Sequence, residues 1–242
     1  MMFLNNGVTG HRGNCEAAPE NTLASFESAI ALGVDFLETD VRESADGVLL
    51  LCHDATTGRT CGTDLAIAGT EAAELRKLNA AHGFAPGLKL PLPTLDELLA
   101  LAKKHPQIRV SLQPKCPAIG AICEAVKKAG MSGRIAFNDG NFDWISEAKK
   151  RIPEAVIFYD TYGVEQLESG IEKAAAAGFH GIVAHCDSLN RKRVAAIAAA
   201  GLEPGVWTVN DGAEMRKFFD MGVFRIYTDR PALALRIKGE NK

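Results

Sequence analysis

Short apolar runs of strand length alternate with stretches whose apolar residues recur at helical spacing, and the alternation is most regular beyond residue 94. The pattern predicts helix 94–104, strand 107–113, helix 117–129, strand 134–138, helix 140–151 and strand 155–159. Helix 164–177, strand 181–185, helix 190–200, strand 204–209, helix 211–221, strand 223–228 and helix 231–238 follow. Nearer the start, 3–10 reads as a weak strand and 34–41 as a second. Between them lies a helix that Asn21 or Thr22 can cap, with Leu23, Phe26 and Ile30 on one face and Gly33 placed to end it. Repeated strand–helix units with short connections mean parallel strands joined by right-handed crossovers. About eight such units close an α/β fold of the (β/α)8 TIM barrel type, with a doubly wound open sheet as the competing arrangement. Residues 55–93 break the pattern and read as a small insertion after the second strand, within one barrel domain spanning 1–242.

The second strand carries the first chemistry. Glu38 and Asp40 are two positions apart and so face the same way. The chain then turns at Asp46-Gly47 and returns through an apolar run to Cys52-His53-Asp54. A two-residue turn there sets His53 opposite Asp40, gathering two carboxylates and an imidazole on one patch. Other polar residues also fall at the carboxyl ends of predicted strands, where barrels of this type build their sites: His11 and Arg12, Gln113 and Lys115, Asn138, His185, Trp207 and Asp229. Glu38 and Asp40 offer hard oxygen ligands suited to Mg2+ or Ca2+, the competing reading being a structural ion pair with nearby basic residues. Two histidines beside such a site can share general acid and base work. Arg12 and Lys115 suit an anionic group such as a phosphate ester.

Composition narrows the class. With 27 basic and 30 acidic residues the net charge is -3, which gives no electrostatic footprint for nucleic acid. The chain starts without a basic segment or an apolar run long enough for a signal or membrane span, so a cytoplasmic protein is expected. Six scattered cysteines without a Cys-x-x-Cys pair are expected as reduced thiols, Cys52 and Cys186 in the core, Cys15 and Cys61 in loops.

Taken in order, His11-Arg12-Gly13, Pro19-Glu20-Asn21-Thr22, Glu38-Thr39-Asp40-Val41, Asp46-Gly47, His53-Asp54, Pro93-Thr94-Leu95, Trp207-Thr208-Val209-Asn210 and Thr228-Asp229-Arg230-Pro231 form a specific set. The set resembles the glycerophosphodiester phosphodiesterases. That resemblance implies a (β/α)8 barrel with a small insertion after the second strand. It also implies metal-dependent hydrolysis of a glycerophosphodiester to glycerol 3-phosphate and an alcohol. By the same resemblance His11 and His53 match the acid/base pair, Glu38 and Asp40 match metal ligands, Arg12 and Lys115 match phosphate contacts, and Trp207 matches an aromatic wall. The family's chemistry is thought to use the glycerol hydroxyl beside the phosphate as an internal nucleophile. One position departs: where the family's third strand carries Glu-hydrophobic-Lys, this chain has Gln113-Pro114-Lys115, so Gln113 stands in for the third carboxylate ligand. An amide oxygen still binds Mg2+ or Ca2+ but brings no charge. The alternative that follows is a catalytically weak barrel that binds a phosphodiester or phosphate without turning it over.

Overall fold

The computed structural model describes residues 5–85 and 87–240. In chain order its elements are β1 (Val8–Gly10), α1 (Leu23–Leu32), β2 (Phe36–Glu43), β3 (Leu49–Leu51), α2 (Gly58–Cys61), α3 (Ala72–Leu75), α4 (Leu95–Lys103), β4 (Arg109–Pro114) and α5 (Ile119–Lys128). They continue with β5 (Ile135–Asp139), α6 (Phe142–Arg151), β6 (Val156–Thr161), α7 (Val164–Ala176), β7 (Gly181–His185), α8 (Arg191–Ala199), β8 (Glu203–Trp207), α9 (Gly212–Asp220), β9 (Arg225–Thr228) and α10 (Pro231–Glu240). The parallel strands run β1-β2-β4-β5-β6-β7-β8-β9, and β9 pairs with β1 again, closing the barrel. The expected (β/α)8 architecture is therefore present, and the open sheet is excluded. Residues 3 and 4 of the first predicted strand lie outside the described residues.

Two hydrophobic layers follow from strand alternation. Outward positions such as Leu37, Val110, Phe137, Ile157 and Ile182 pack under the helices. Inward positions Phe36, Ala136, Val156, Phe158, Val183 and Tyr227 fill the barrel, with Trp207 against them. Arg225 is buried in this interior, 1% exposed, with its guanidinium 4.4 Å from the Phe36 ring and 4.1 Å from the Phe158 ring. Its Nε donates to Glu203 Oε1 at 2.7 Å. A guanidinium tolerates this place because it presents flat apolar faces to the rings and its edge to the carboxylate.

The hairpin differs by one residue from the expected register. Val41 pairs with Leu51, Arg42 with Leu50 and Glu43 with Leu49. The turn is a three-residue loop, Ala45-Asp46-Gly47, closed by Ser44 N donating to Val48 O at 3.0 Å, with Gly47 in the left-handed region at φ 79°. The Ser44 hydroxyl reinforces it, accepting from Val48 N at 3.0 Å and donating to Asp46 at 2.6 Å. Cys52, not His53, therefore lies opposite Asp40, with its N–H on the Asp40 carbonyl at 3.1 Å. His53 reaches the barrel mouth because the chain leaves the ladder there and is caught by Arg42. Arg42 donates through Nε and Nη2 to the His53 carbonyl, at 3.0 and 2.7 Å, and through Nη1 to the Lys115 carbonyl at 3.1 Å.

Between β3 and α4, residues 55–93 carry α2, α3 and a 3-10 turn, packed on a separate small cluster of Leu50, Cys52, Cys61, Ile67, Ala72, Leu75, Ala80 and Leu92. Cys61 is thus buried rather than exposed in a loop, and Cys186 is only half-buried because β7 ends one residue before it. All six cysteines are unpaired.

Replacing Arg225 with Ala removes both ring contacts and leaves Glu203 without its buried partner. We expect a loss of about 3–5 kcal/mol, read as a lower urea midpoint at unchanged slope. A loss below about 1 kcal/mol, the scale of an exposed pair, would show that the barrel interior does not depend on this contact.

Candidate active site

At the carboxyl end of the barrel a cavity of about 120 Å³ is lined by His11, Arg12, Glu38, His53, Gln113, Lys115, Asn138, Asp160, Tyr162 and Trp207, among others. Seven of the eight residues picked out by the sequence line it: His11, Arg12, Glu38, His53, Gln113, Lys115 and Trp207. The eighth, Asp40, lies behind them and is fully buried. Its carboxylate accepts from Asn21 Nδ2 at 2.9 Å and is flanked by Arg12 Nε at 3.2 Å and Lys115 Nζ at 3.3 Å. Asp40 thus orients both cations at the cavity. Trp207 is fixed by its indole N–H on the Val183 carbonyl at 3.1 Å and by edge contacts with Tyr162 and His185.

The turn after β1 is bent to serve this mouth. Arg12 and Asn21 both adopt left-handed backbone, at φ 55° and 54°, a conformation side chains disfavour and active sites accumulate. It aims Arg12 N at Glu38 Oε2, 3.0 Å away. Gly13, at φ 96°, has no room for a side chain, since a Cβ there would collide with Ser25.

Each histidine has its own aspartate. His11 Nδ1 lies 2.7 Å from Asp229 Oδ1, and Asp229 is held in turn by Asn210 Nδ2 at 2.6 Å. His53 Nδ1 lies 2.7 Å from Asp54 Oδ1, and Asp54 accepts from Arg59 Nε at 2.6 Å. With Nδ1 engaged, Nε2 is the nitrogen left to meet a substrate. The two environments pull the rings apart. Burial works to lower the His11 pKa, but the Asp229 hydrogen bond and the Glu38 charge outweigh it and raise it above 6.5. For His53 burial prevails over Asp40 and Asp54, helped by the Arg12 and Lys115 charges, and the pKa falls below 6.5.

The carboxylates at the site carry more negative charge than the surrounding side chains offset. Glu38 is pushed up by burial and by Asp40 beside it, and Asp139 is pushed up to about 6 by burial. Asp160 is raised well above the usual range by burial, with Asp139 and Glu38 adding to it. Asp40, by contrast, is held low, since Arg12 and Lys115 overcome the effect of its burial. Glu38 Oε1 and Asp160 Oδ1 are buried and accept no hydrogen bond among the described residues. Unsatisfied oxygens and raised carboxyl groups of this kind fit a divalent cation with hard oxygen ligands. These carboxylates are spread more widely than the one trio of His, Cys, Asp or Glu ligand atoms that lies within 4.8 Å among the described residues, His185, Cys186 and Asp187.

A family profile described as the glycerophosphoryl diester phosphodiesterase family matches residues 11–233. The chain belongs to this family. A glycerophosphodiester phosphodiesterase of Bacillus altitudinis is 26% identical over 97% of this chain and 99% of its own. The fold is similar to that of an Oleispira antarctica phosphodiesterase in complex with the product sn-glycerol-3-phosphate, with TM-score 0.85, 27% identity and 95% of each chain covered. It is also similar to a glycerophosphodiester phosphodiesterase of Agrobacterium tumefaciens, with TM-score 0.82 and 27% identity over 96% of this chain and 99% of that one.

Four contributors carry no assigned role in the sequence: Asp54, Arg42, Asp160 and Asp229, the last placed there only as a polar residue at a strand end. The two aspartates stand inside motifs already quoted, and their partnership with the histidines only appears in three dimensions. Asp160 had a signal, since Val156, Phe158 and Asp160 alternate onto the barrel interior, but the expected strand stopped at 159. His180 accepts from Ile157 N at 3.0 Å, away from the cavity.

Asp229→Asn removes the strongest contribution that raises His11. In an NMR titration of the ring nitrogens the variant's His11 pKa should drop to or below 6.5 while that of His53 stays put. An unmoved His11 would show that Asp229 does not set its charge.

Proposed function

We propose that the chain hydrolyses glycerophosphodiesters, such as glycerophosphocholine or glycerophosphoethanolamine, to glycerol 3-phosphate and an alcohol, with a divalent cation, Mg2+ or Ca2+, in the cavity. The observation that carries the reading is the pair of histidines, each engaged at Nδ1 by its own aspartate and shifted in opposite directions, facing one cavity with two cationic side chains. The product complex of the Oleispira antarctica relative supports the same product here.

Glu38, with the Gln113 amide and the Asp40 and Asp160 carboxylates around it, is where we assign the cation. When bound, the cation neutralises phosphate charge and lowers the pKa of a nearby hydroxyl. Arg12 and Lys115, steered by Asp40, grip the phosphate oxygens. His53, neutral near pH 7, takes the proton from the substrate hydroxyl next to the phosphate, whose oxygen then attacks phosphorus. His11, protonated, gives a proton to the departing alcohol oxygen. Exchanged roles then let water open the cyclic phosphate. Holding the internal hydroxyl beside phosphorus supplies much of the acceleration, since a positioned group acts at high effective concentration. Trp207 forms a wall of the pocket for the glycerol carbons. Gln113 favours a second reading, a barrel that binds the phosphodiester without turnover, and the same assay separates the two.

No helix among the described residues is long and apolar enough to cross a membrane. We take the substrate to be a water-soluble diester met in the cytoplasm, and residues 55–93 to be an insertion that carries Arg59, the partner of Asp54 and Glu20, to the rim.

Purified protein with Mg2+ or Ca2+ should release glycerol 3-phosphate from glycerophosphocholine, and a chelator should stop it. His11→Ala and His53→Ala should each lower kcat by about 10²–10⁴, and wild-type rates in both would contradict the assignment. Activity should follow a bell in pH. It rises as His53 loses its proton at a value below 6.5 and falls as His11 loses its own at a value above 6.5. His53→Ala should erase the acid limb from what residual rate remains, and a limb that persists there belongs to another group.

A further inference from the structure

We propose that Asp160 makes up for what Gln113 lacks, fixing the Gln113 amide with its oxygen turned to the cavity and supplying the third negative charge of the cation site. The inference rests on the cation-dependent reading above and names a residue that the sequence motifs do not.

The geometry is specific. Asp160, 3% exposed near the end of β6, accepts through one oxygen, Oδ2, from Gln113 Nε2 at 3.1 Å and from Asn138 Nδ2 at 3.0 Å. Asn138 is itself fixed by the Ser111 hydroxyl donating to its Oδ1 at 2.7 Å. Asp160 Oδ2 accepts from both amides, and its hydrogen bond from Nε2 turns the Gln113 NH2 toward Asp160. In a planar amide the oxygen then points the other way, and Gln113 lines the same cavity as Glu38. Without Asp160 the amide could present either end, and an NH2 facing a cation repels it.

The second oxygen of Asp160 explains why the residue is an acid. Oδ1 is buried, receives no hydrogen bond among the described residues, and belongs to a side chain that lines the cavity. A purely structural acceptor for Asn138 and Gln113 would be served as well by a neutral side chain, without the desolvation cost of a buried charge. A charge placed two strands round the barrel from β4 answers the missing one on Gln113. The arrangement also predicts that Gln113→Glu is no repair by itself. It would replace the Nε2 donor that Asp160 Oδ2 accepts from with a second acceptor, breaking the contact that positions both side chains.

The test is calorimetric titration of Mg2+ and of Ca2+ into the purified full chain, with no substrate present. Wild type should bind one ion, and Glu38→Gln should lose it. Asp160→Asn should bind about 10- to 100-fold more weakly, Gln113→Glu no better than wild type, and the double variant Gln113→Glu with Asp160→Asn should return to within about threefold of wild type, the exchange of one charge for the other. Circular dichroism and Tm check that each variant folds, and Asp160→Ser replaces the asparagine variant if that one does not. Wild-type affinity in Asp160→Asn, with binding still lost in Glu38→Gln, would overturn the proposal and leave the cation reading standing. A weak Asp160→Asn that the double variant fails to restore would also overturn it, since Asp160 would then not be exchangeable with a charge at 113. No uptake by wild type would remove both.

Discussion

Buried negative charge at one end of the barrel is the constraint around which the rest of this molecule is arranged. β2 turns Glu38 and Asp40 inward, and β6 adds Asp160, in an interior where an unpaired carboxylate is costly. Asp40 is neutralised by the protein itself, through Arg12 and Lys115. Glu38 receives one backbone N–H and Asp160 two amide N–H groups, and each keeps one oxygen with no donor. That division of labour makes sense for a site that must stay attractive to a cation while keeping its fixed positive groups aimed at a phosphate.

The histidines depend on the same field. Glu38 helps raise His11, while Arg12 and Lys115, the partners of Asp40, help lower His53. One set of charges thus bears both on the unsatisfied carboxylate oxygens and on the opposite shifts of the two histidines. Strain in the backbone at Arg12 and Asn21 is the cost of bringing the β1 turn onto β2, and it is held in place by Asn21 bridging Thr39 and Asp40.

Most of the fold was legible because parallel strands and amphipathic helices write their periods directly into the chain. The alternation beyond residue 94 located every later strand, and Glu38 and Asp40 declared their common face by spacing alone. The hairpin register was not legible, because Asp46-Gly47 serves a two-residue turn and a three-residue loop equally well, and the longer loop is held by the Ser44 hydroxyl and by contacts of Ala45 and Asp46 with Thr70 and Ala72. His53 reaches the site by leaving the ladder, a path set by Arg42 from a neighbouring position and invisible to pairing rules. Asp160 was hidden for a different reason. A polar residue closing an apolar strand looks like the start of a loop, and its meaning comes from Gln113, 47 positions earlier in sequence and 3.1 Å away in space.

The central claim is that these carboxylates share a divalent cation beside the two histidines. Anomalous diffraction from crystals soaked in Mn2+ tests it most directly. The account predicts one strong peak at the barrel mouth, in contact with Glu38 and the Gln113 amide oxygen and beside Asp160. A mouth without a peak, or a sole peak at His185, Cys186 and Asp187, would contradict it.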